Sequence, residues 1–571
     1  MPKRLVRHAH KFRESGILFL VAALWISAPT PSDAQTPTHP TASTTVLYRI
    51  AGTVVNAETK EPLRRATVAA LTEADSHTVA SVESDNSGHF ALEGLPAGKY
   101  QLTASKRGFR TSFYDEHEEF SSAIVTGADQ ETGNFVFQLT PGAILRGVVT
   151  ADGGDPVENA SVLLFRKPNS HRIGDRITQA GSTTTDDTGA YEFGNLAAGD
   201  FLLAAMATPW YALNRAPRRM DSVNSAESGA NPAIDVAYPI TFFDGTTNEE
   251  SASPITLGGG TRAEANLTLH AVPALHITVP AGGSRETVPG HLPSTLQPTL
   301  FGLLLGSIGP SFPSNRQDGM EEFNGVAPGS YEMKQVDPPR ILDLDATASQ
   351  QIDPNLGTPT VAVSVALRSI TGSAFGQQMA LVLQSLKNPA NFVWMQPGPA
   401  AEGPRTATVS SGEWRLWAQS PGKTWQILSI DAEGKPHPGS LVTVRNRPLS
   451  LLATLSEGAT RIEGVARKDG KGIAGAMVVL VPQLRPGLSD QDTTVIETLS
   501  RRDQSDSDGS FALHDAVPGA YTVVAIEDGW ELDWMRPAVI ARYLAKGVSV
   551  IITGKSGQLI RLSEPVPLQS R

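Results

Sequence analysis

The chain of 571 residues contains no cysteine. That excludes a disulfide framework, a thiolate metal site, a cysteine nucleophile and a lipid-modified N-terminal cysteine. Stability has to come from packing alone. Long apolar runs are scarce too. Gly16 to Ala28 is 13 residues long, short of the roughly 20 that cross a bilayer. It follows Lys3, Arg4, Arg7, Lys11 and Arg13 and precedes Ser32-Asp33-Ala34, so residues 1–34 are expected to be a signal peptide cleaved after Ala34. Nor is there an excess of positive charge. The formal net charge is −11, and losing residues 1–34 removes five basic and two acidic side chains, leaving −14. Nucleic acid and anionic membrane surfaces are therefore poor partners. No His-Glu-x-x-His, Gly-x-Ser-x-Gly or Gly-rich phosphate loop occurs, and no catalytic, cofactor-binding or metal residue is assigned.

What is present is a repeat. Asp85-Asn-Ser-Gly88-His-Phe90-Ala-Leu92 leads to Leu95-Pro-Ala-Gly98-Lys-Tyr100-Gln-Leu102. The pattern returns at Gly189, Tyr191, Gly199 and Phe201, and again at Gly509, Phe511, Gly519 and Tyr521. Weaker copies keep the ten-residue Gly-to-Gly spacing at Gly319, Phe323, Gly329 and Tyr331, and at Gly412, Trp414, Leu416 and Gly422. Asp-x-x-Gly is turn chemistry, since Asp bonds nearby backbone and Gly accepts positive φ. The apolar residues alternate, as they do in a strand with one buried face. Each clear hairpin is preceded by a glycine-bearing strand and an Ala-x-Val strand: Ile50-Ala-Gly52-Thr-Val54 with Ala66-Thr-Val68, Leu145-Arg-Gly147-Val-Val149 with Ala160-Ser-Val162, and Ile462-Glu-Gly464-Val-Ala466 with Ala476-Met-Val478. Ile370-Thr-Gly372 with Ala380-Leu-Val382 reads as a fourth. Further short strands after the hairpin bring each unit to about seven, enough for a two-sheet sandwich.

Where Gly-x-Val, Pro-Leu-x-x-Ala-x-Val, Asp-x-x-Gly-x-Phe-x-Leu and Leu-Pro-Ala-Gly-x-Tyr line up, the chain resembles the carboxypeptidase regulatory-like domain. That family is a transthyretin-like (prealbumin-like) β-sandwich, also grouped with carbohydrate-binding-like folds. The resemblance implies an all-β chain of tandem seven-stranded sandwich modules, exported to the periplasm, cell surface or exterior and used for adhesion, spacing or glycan contact. It does not imply peptidase activity. The expected order is a flexible lead-in (35–45), sandwiches at 46–140 and 142–271 (the second with an inserted loop at 209–237), degenerate sandwiches at 272–366 and 367–456, and a last sandwich at 458–563. Some related sandwiches carry a Lys–Asn isopeptide bond, but no trio for one can be placed from sequence.

Several residues invite chemistry. His117-Glu118-Glu119 resembles a metal fragment without its second His and is read as a solvated loop. Asp503, Asp506, Asp508 and Gly509 suggest a calcium loop, but Gln504 occupies the first ligand position, so a plain hairpin turn is expected. Sugar faces stack on exposed aromatic rings. Trp414 is read as the counterpart of Phe90, and Trp530 and Trp534 as structural. Trp210, Tyr211 and Trp394 fall outside the repeat and are the ligand candidates, with a polysaccharide or a surface protein as partner. The sequence thus points first to a non-catalytic binding or scaffolding protein, then to a carbohydrate binder, and third to an enzyme hidden in 272–456.

Overall fold

In a computed structural model the chain divides into residues 1–45 and 46–571. The structure describes residues 46–571 apart from 74–75, 169–175, 213–231, 281–293, 311–319, 337–338, 354, 373–374, 376–378, 388–390, 399–402, 421–424, 458–459, 484–495, 497–498, 554 and 556. The expected signal peptide and lead-in, most of the inserted loop, Gly319 and Gly422 lie outside the described residues.

The fold is a series of β-sandwiches. In the first, Tyr48–Asn56 pairs antiparallel with His89–Leu95 and parallel with Phe135–Leu139, forming one sheet. Thr78–Glu83, Thr67–Thr72, Gly98–Ser105 and Ile124–Thr126 form the other. Tyr100, Leu102 and Ala104 alternate inward, as the period-two pattern requires. The same pairing recurs around four further cores: Ala143 to Leu269, Leu275 to Ile352, Val363 to Leu455, and Ile462 to Val566.

The glycine in the opening strand has a steric cause. Gly52 pairs with Phe90, Gly147 with Tyr191 and Gly464 with Phe511. A Cβ on Gly147 would stand 1.9 Å from Ala265 O and 2.8 Å from the Tyr191 hydroxyl, and one on Gly464 would stand 2.5 Å from Phe511 Cζ. The aromatic ring lies across the strand in the space that the missing side chain leaves.

Two expectations are corrected in the fourth sandwich. Its opening strand is Thr358–Ser369, which pairs antiparallel with Arg405–Ser410 and parallel with Leu449–Glu457. The strand crosses the boundary expected at 366/367, and Ile370 lies beyond it, 41% exposed. Val361, Val363, Val365 and Leu367 alternate here without the glycine that marks the other copies. Trp414 is also one strand further on than expected. It lies on Gly412–Gln419, the counterpart of Gly98–Ser105, so it corresponds to Tyr100. The two share a bond to the carbonyl four residues back: Tyr100 Oη donates to Pro96 O and Trp414 Nε1 to Ser410 O, both at 3.0 Å. Tyr331 Oη donates likewise to Ala327 O at 2.7 Å.

The sandwiches are joined by more than linkers. Pro339–Ala346 of the third pairs with Thr358–Ser369 of the fourth, so one sheet of nine strands crosses both. Leu300, Phe301 and Leu303 of the third pack on Leu163, Phe165, Leu202 and Phe242 of the second. Strands of the second and fifth sandwiches are consequently buried on both faces rather than one. Met477–Pro482 is buried throughout, and its outer face is covered by Trp530, Trp534 and a helix at Pro537–Leu544.

Candidate functional site

A cluster of charged and polar side chains lies where the first sandwich meets the fifth. Asp85, Asp186 and Asp506 occupy the same repeat slot, ahead of the turn glycine. Asp85 Oδ1 accepts from the backbone N–H of Ser87 and His89, and Asp186 Oδ1 from Thr188 and Ala190. These exposed carboxyls are held below the usual carboxylate range, Asp85 chiefly by the His89 amide and Asp186 chiefly by the Thr188 hydroxyl. In the last copy that duty passes to Asp508, whose Oδ1 accepts from Ser510 N–H at 2.9 Å. Asp506 turns to the first sandwich instead. Its Oδ1 accepts from Ala123 N–H at 2.9 Å and its Oδ2 from Lys99 Nζ at 2.5 Å. Its side chain is 9% exposed. Burial raises the Asp506 carboxyl, with Lys99 opposing. Burial acts against the Lys99 ammonium, but Asp506 outweighs it and the net direction is up.

Hydrogen bonds continue on either side. Ser507 N–H donates to Ala123 O at 2.9 Å and Val125 N–H to Ser507 Oγ at 2.8 Å. Ser122 Oγ donates to Ser505 O, and Gln504 Nε2 donates to Asp115 O and Ser122 Oγ. The expected solvated loop is part of this contact. His117 Nδ1 bonds Gln504 Oε1 at 3.1 Å, and its ring stacks on Trp530 at 5.3 Å. Arg502 pairs with Glu118 at 2.7 Å while its guanidinium lies over Phe120, Trp530 and Trp534. These side chains gave no sequence signal for the contact, because their partners lie 382 to 407 residues away. Beside the contact, burial pushes the Asp503 carboxyl up to about 7, although it accepts from Ala512 N–H at 2.6 Å. The acidic run is a hairpin turn closed by Gly509 N–H to Asp506 O, followed by the strand Ser510–His514. Among the described residues no group of three or more His, Asp or Glu side chains could hold a metal ion, and no helix is long and apolar enough to cross a membrane.

The aromatic candidates stand apart. Trp210 is 72% exposed and sits edge-to-face with Tyr211 at 5.7 Å in the second sandwich, just before the undescribed loop. Trp394 is on the outer face of the fourth. Val382 is opposite Trp394 on one side and Trp417 on the other, and Phe392 is two residues from Trp394 on the same face. All three rings are half-exposed. Sequence reasoning missed Trp417 and Phe392. Alternation from the inward Trp414 was the signal for Trp417, since the third residue on turns outward, as Thr103 does after Tyr100.

One cavity of about 390 Å³ opens at the edge of this same sandwich. It lies between the edge strands Lys435–Pro438 and Leu441–Val444. Ile430, Val442 and Leu451 floor it, and Lys435, His437, Arg445 and Arg447 rim it. Glu433, also in the rim, pairs with Arg447 at 2.5 Å.

Residues 49–140 match the carboxypeptidase regulatory-like domain. The match covers the first sandwich, and the pairing pattern of that sandwich is the one repeated along the chain. No curated protein sequence matches. Among solved structures, the chain is similar to the Bacillus anthracis TIE protein (11% identity, 72% of this chain and 75% of that one, TM-score 0.17). It is also similar to GBS52, the minor pilin of Streptococcus agalactiae (14% identity, 40% and 97%, TM-score 0.20), and to the shaft pilin SpaA of Lactobacillus rhamnosus GG (8% identity, 40% and 98%, TM-score 0.19). Superpositions this loose assign neither an arrangement nor a function.

Proposed function

We propose that the chain is an exported, non-catalytic binding scaffold whose sandwiches are held together as one body. The observation that carries this reading is the use made of its reactive-looking side chains. His117, Glu118, Lys99 and Asp506 are all engaged in fastening the first sandwich to the fifth. A buried ion pair in such a place fixes the register of two surfaces more than it adds stability. The experiment is a hydrolase and lyase substrate panel on the purified chain, run beside fractionation of cells expressing it with residues 1–34 intact. The expected result is no turnover and recovery outside the cytoplasmic membrane. Turnover abolished by His117→Ala or Asp503→Asn, or retention in the cytoplasm, would overturn the reading.

A second reading, carbohydrate binding, is favoured by the outer face of the fourth sandwich. Three half-exposed rings on one flat sheet offer apolar surface to the C–H face of a sugar. With Val382 between the two tryptophans they make a contiguous exposed apolar strip, the kind of surface that marks an interaction site.

A further inference from the structure

We infer that the fourth sandwich binds an acidic polysaccharide, across the Phe392, Trp394 and Trp417 face and into the adjoining basic cleft. This rests on the carbohydrate reading and adds the charge of the ligand. The rings come first. Trp394 and Trp417 flank Val382 on neighbouring strands, two strand spacings or about 10 Å apart. That separation suits two sugar residues of one extended chain better than a single small ligand. Phe392 extends the platform along the strand beside Gln384.

The cleft supplies the charge. Its rim carries Lys435, Arg445 and Arg447 against Glu433 alone, two net positive charges on a chain whose total is −11. Local charge of sign opposite to the whole is a recognition signal, because it concentrates an anion there and nowhere else nearby. Guanidinium groups meet carboxylate or sulfate in two parallel bonds. The floor of Ile430, Val442 and Leu451 is apolar, and about 390 Å³ lies within the range of small-ligand sites.

Backbone bonds make the two features neighbours. The Trp417 strand pairs with the strand that walls the cleft, Arg415 opposite Leu441. Leu416 N–H donates to Ser440 O at 2.8 Å. The segment leading from His437 and Pro438 in the rim to Ser440 therefore runs beside Trp417.

Affinity electrophoresis and tryptophan fluorescence test this on the full chain without residues 1–34. The probes are polygalacturonate and alginate, neutral hydroxyethylcellulose and xyloglucan, and a single-stranded oligothymidylate. The two polyuronates should retard the chain, and 0.5 M salt should weaken them about tenfold or more. Trp417→Ala and the pair Arg445→Gln with Arg447→Gln should each weaken binding at least tenfold. Trp210→Ala should leave it unchanged, and all four positions are exposed enough for the variants to fold. Neutral glycans bound as tightly as the polyuronates, with the arginine variant unaffected, would overturn the acidic assignment and leave the carbohydrate reading standing. No retardation by any glycan would overturn both. Tighter binding of the oligonucleotide would overturn both in favour of a stacking site for bases.

Discussion

Replacing Asp506 by alanine tests the contact between the first and fifth sandwiches most directly. The carboxylate is nearly enclosed, and two groups depend on it: Ala123 N–H at 2.9 Å and Lys99 Nζ at 2.5 Å. Truncation leaves an ammonium only 27% exposed without its counter-charge, and a buried amide without its acceptor. Removing one partner of a buried pair costs about 3–5 kcal/mol. Asp186→Ala is the control, since it occupies the same repeat slot but is exposed. Water can replace what it loses, so about 1 kcal/mol is expected. A chain of several sandwiches need not unfold in one step, so the readout should be local. Native-state hydrogen exchange at Val125, whose N–H donates to Ser507 Oγ and not to the altered side chain, reports opening of this contact. Exchange there should rise by about a hundredfold or more in Asp506→Ala and stay at the wild-type level in Asp186→Ala. Equal effects of the two variants, or wild-type exchange in Asp506→Ala, would refute the account.

Gly147→Ala should cost about 3 kcal/mol or more, because its Cβ would overlap the Ala265 carbonyl, whereas Gly154→Ala faces open space and pays only for its positive φ, about 1 kcal/mol; denaturant midpoints of the two variants give the comparison. Asp503→Asn addresses pH. The folded carboxyl titrates at about 7 and the unfolded one at 3.8. Between these values the folded state holds the extra proton, so stability falls as pH rises from 4 to 7 and stays low above it. The asparagine variant keeps an acceptor for Ala512 N–H and should be more stable at pH 8 by about 1–2 kcal/mol once solvent relaxation is counted, with little change at pH 4; denaturation at both pH values checks the sign. Trp530→Ala should loosen the first sandwich as well as the fifth, by about 3 kcal/mol or more, since its ring meets His117 and Phe120; exchange at residues 115–125 reads it.

The sandwich architecture was legible because turn glycines and alternating apolar residues are local signals. Gly88, Gly98 and Tyr100 sit where spacing placed them. The fourth copy was misread by one strand because Ser410-Ser411-Gly412 resembles neither repeat turn, and because Arg405–Ser410 turns Arg405, Ala407 and Val409 inward, with no aromatic among them. The contacts between sandwiches were illegible for another reason. His117 and Asp506 are ordinary loop and turn residues in sequence, and only distant partners give them a buried role. Strands buried on both faces, such as Met477–Pro482, do read as unbroken apolar runs, but the run does not say what covers the second face.

The nine-stranded sheet that crosses the third and fourth sandwiches has a mechanical consequence. Pro339–Ala346 and Thr358–Ser369 meet edge to edge through Arg340 and Ile341, so bending the third sandwich against the fourth means breaking ladder bonds rather than flexing a tether. A pull applied across this joint meets a β-ladder before it meets a linker. Bending stiffness at that point is a property of backbone pairing, and it would survive most substitutions of the side chains around it.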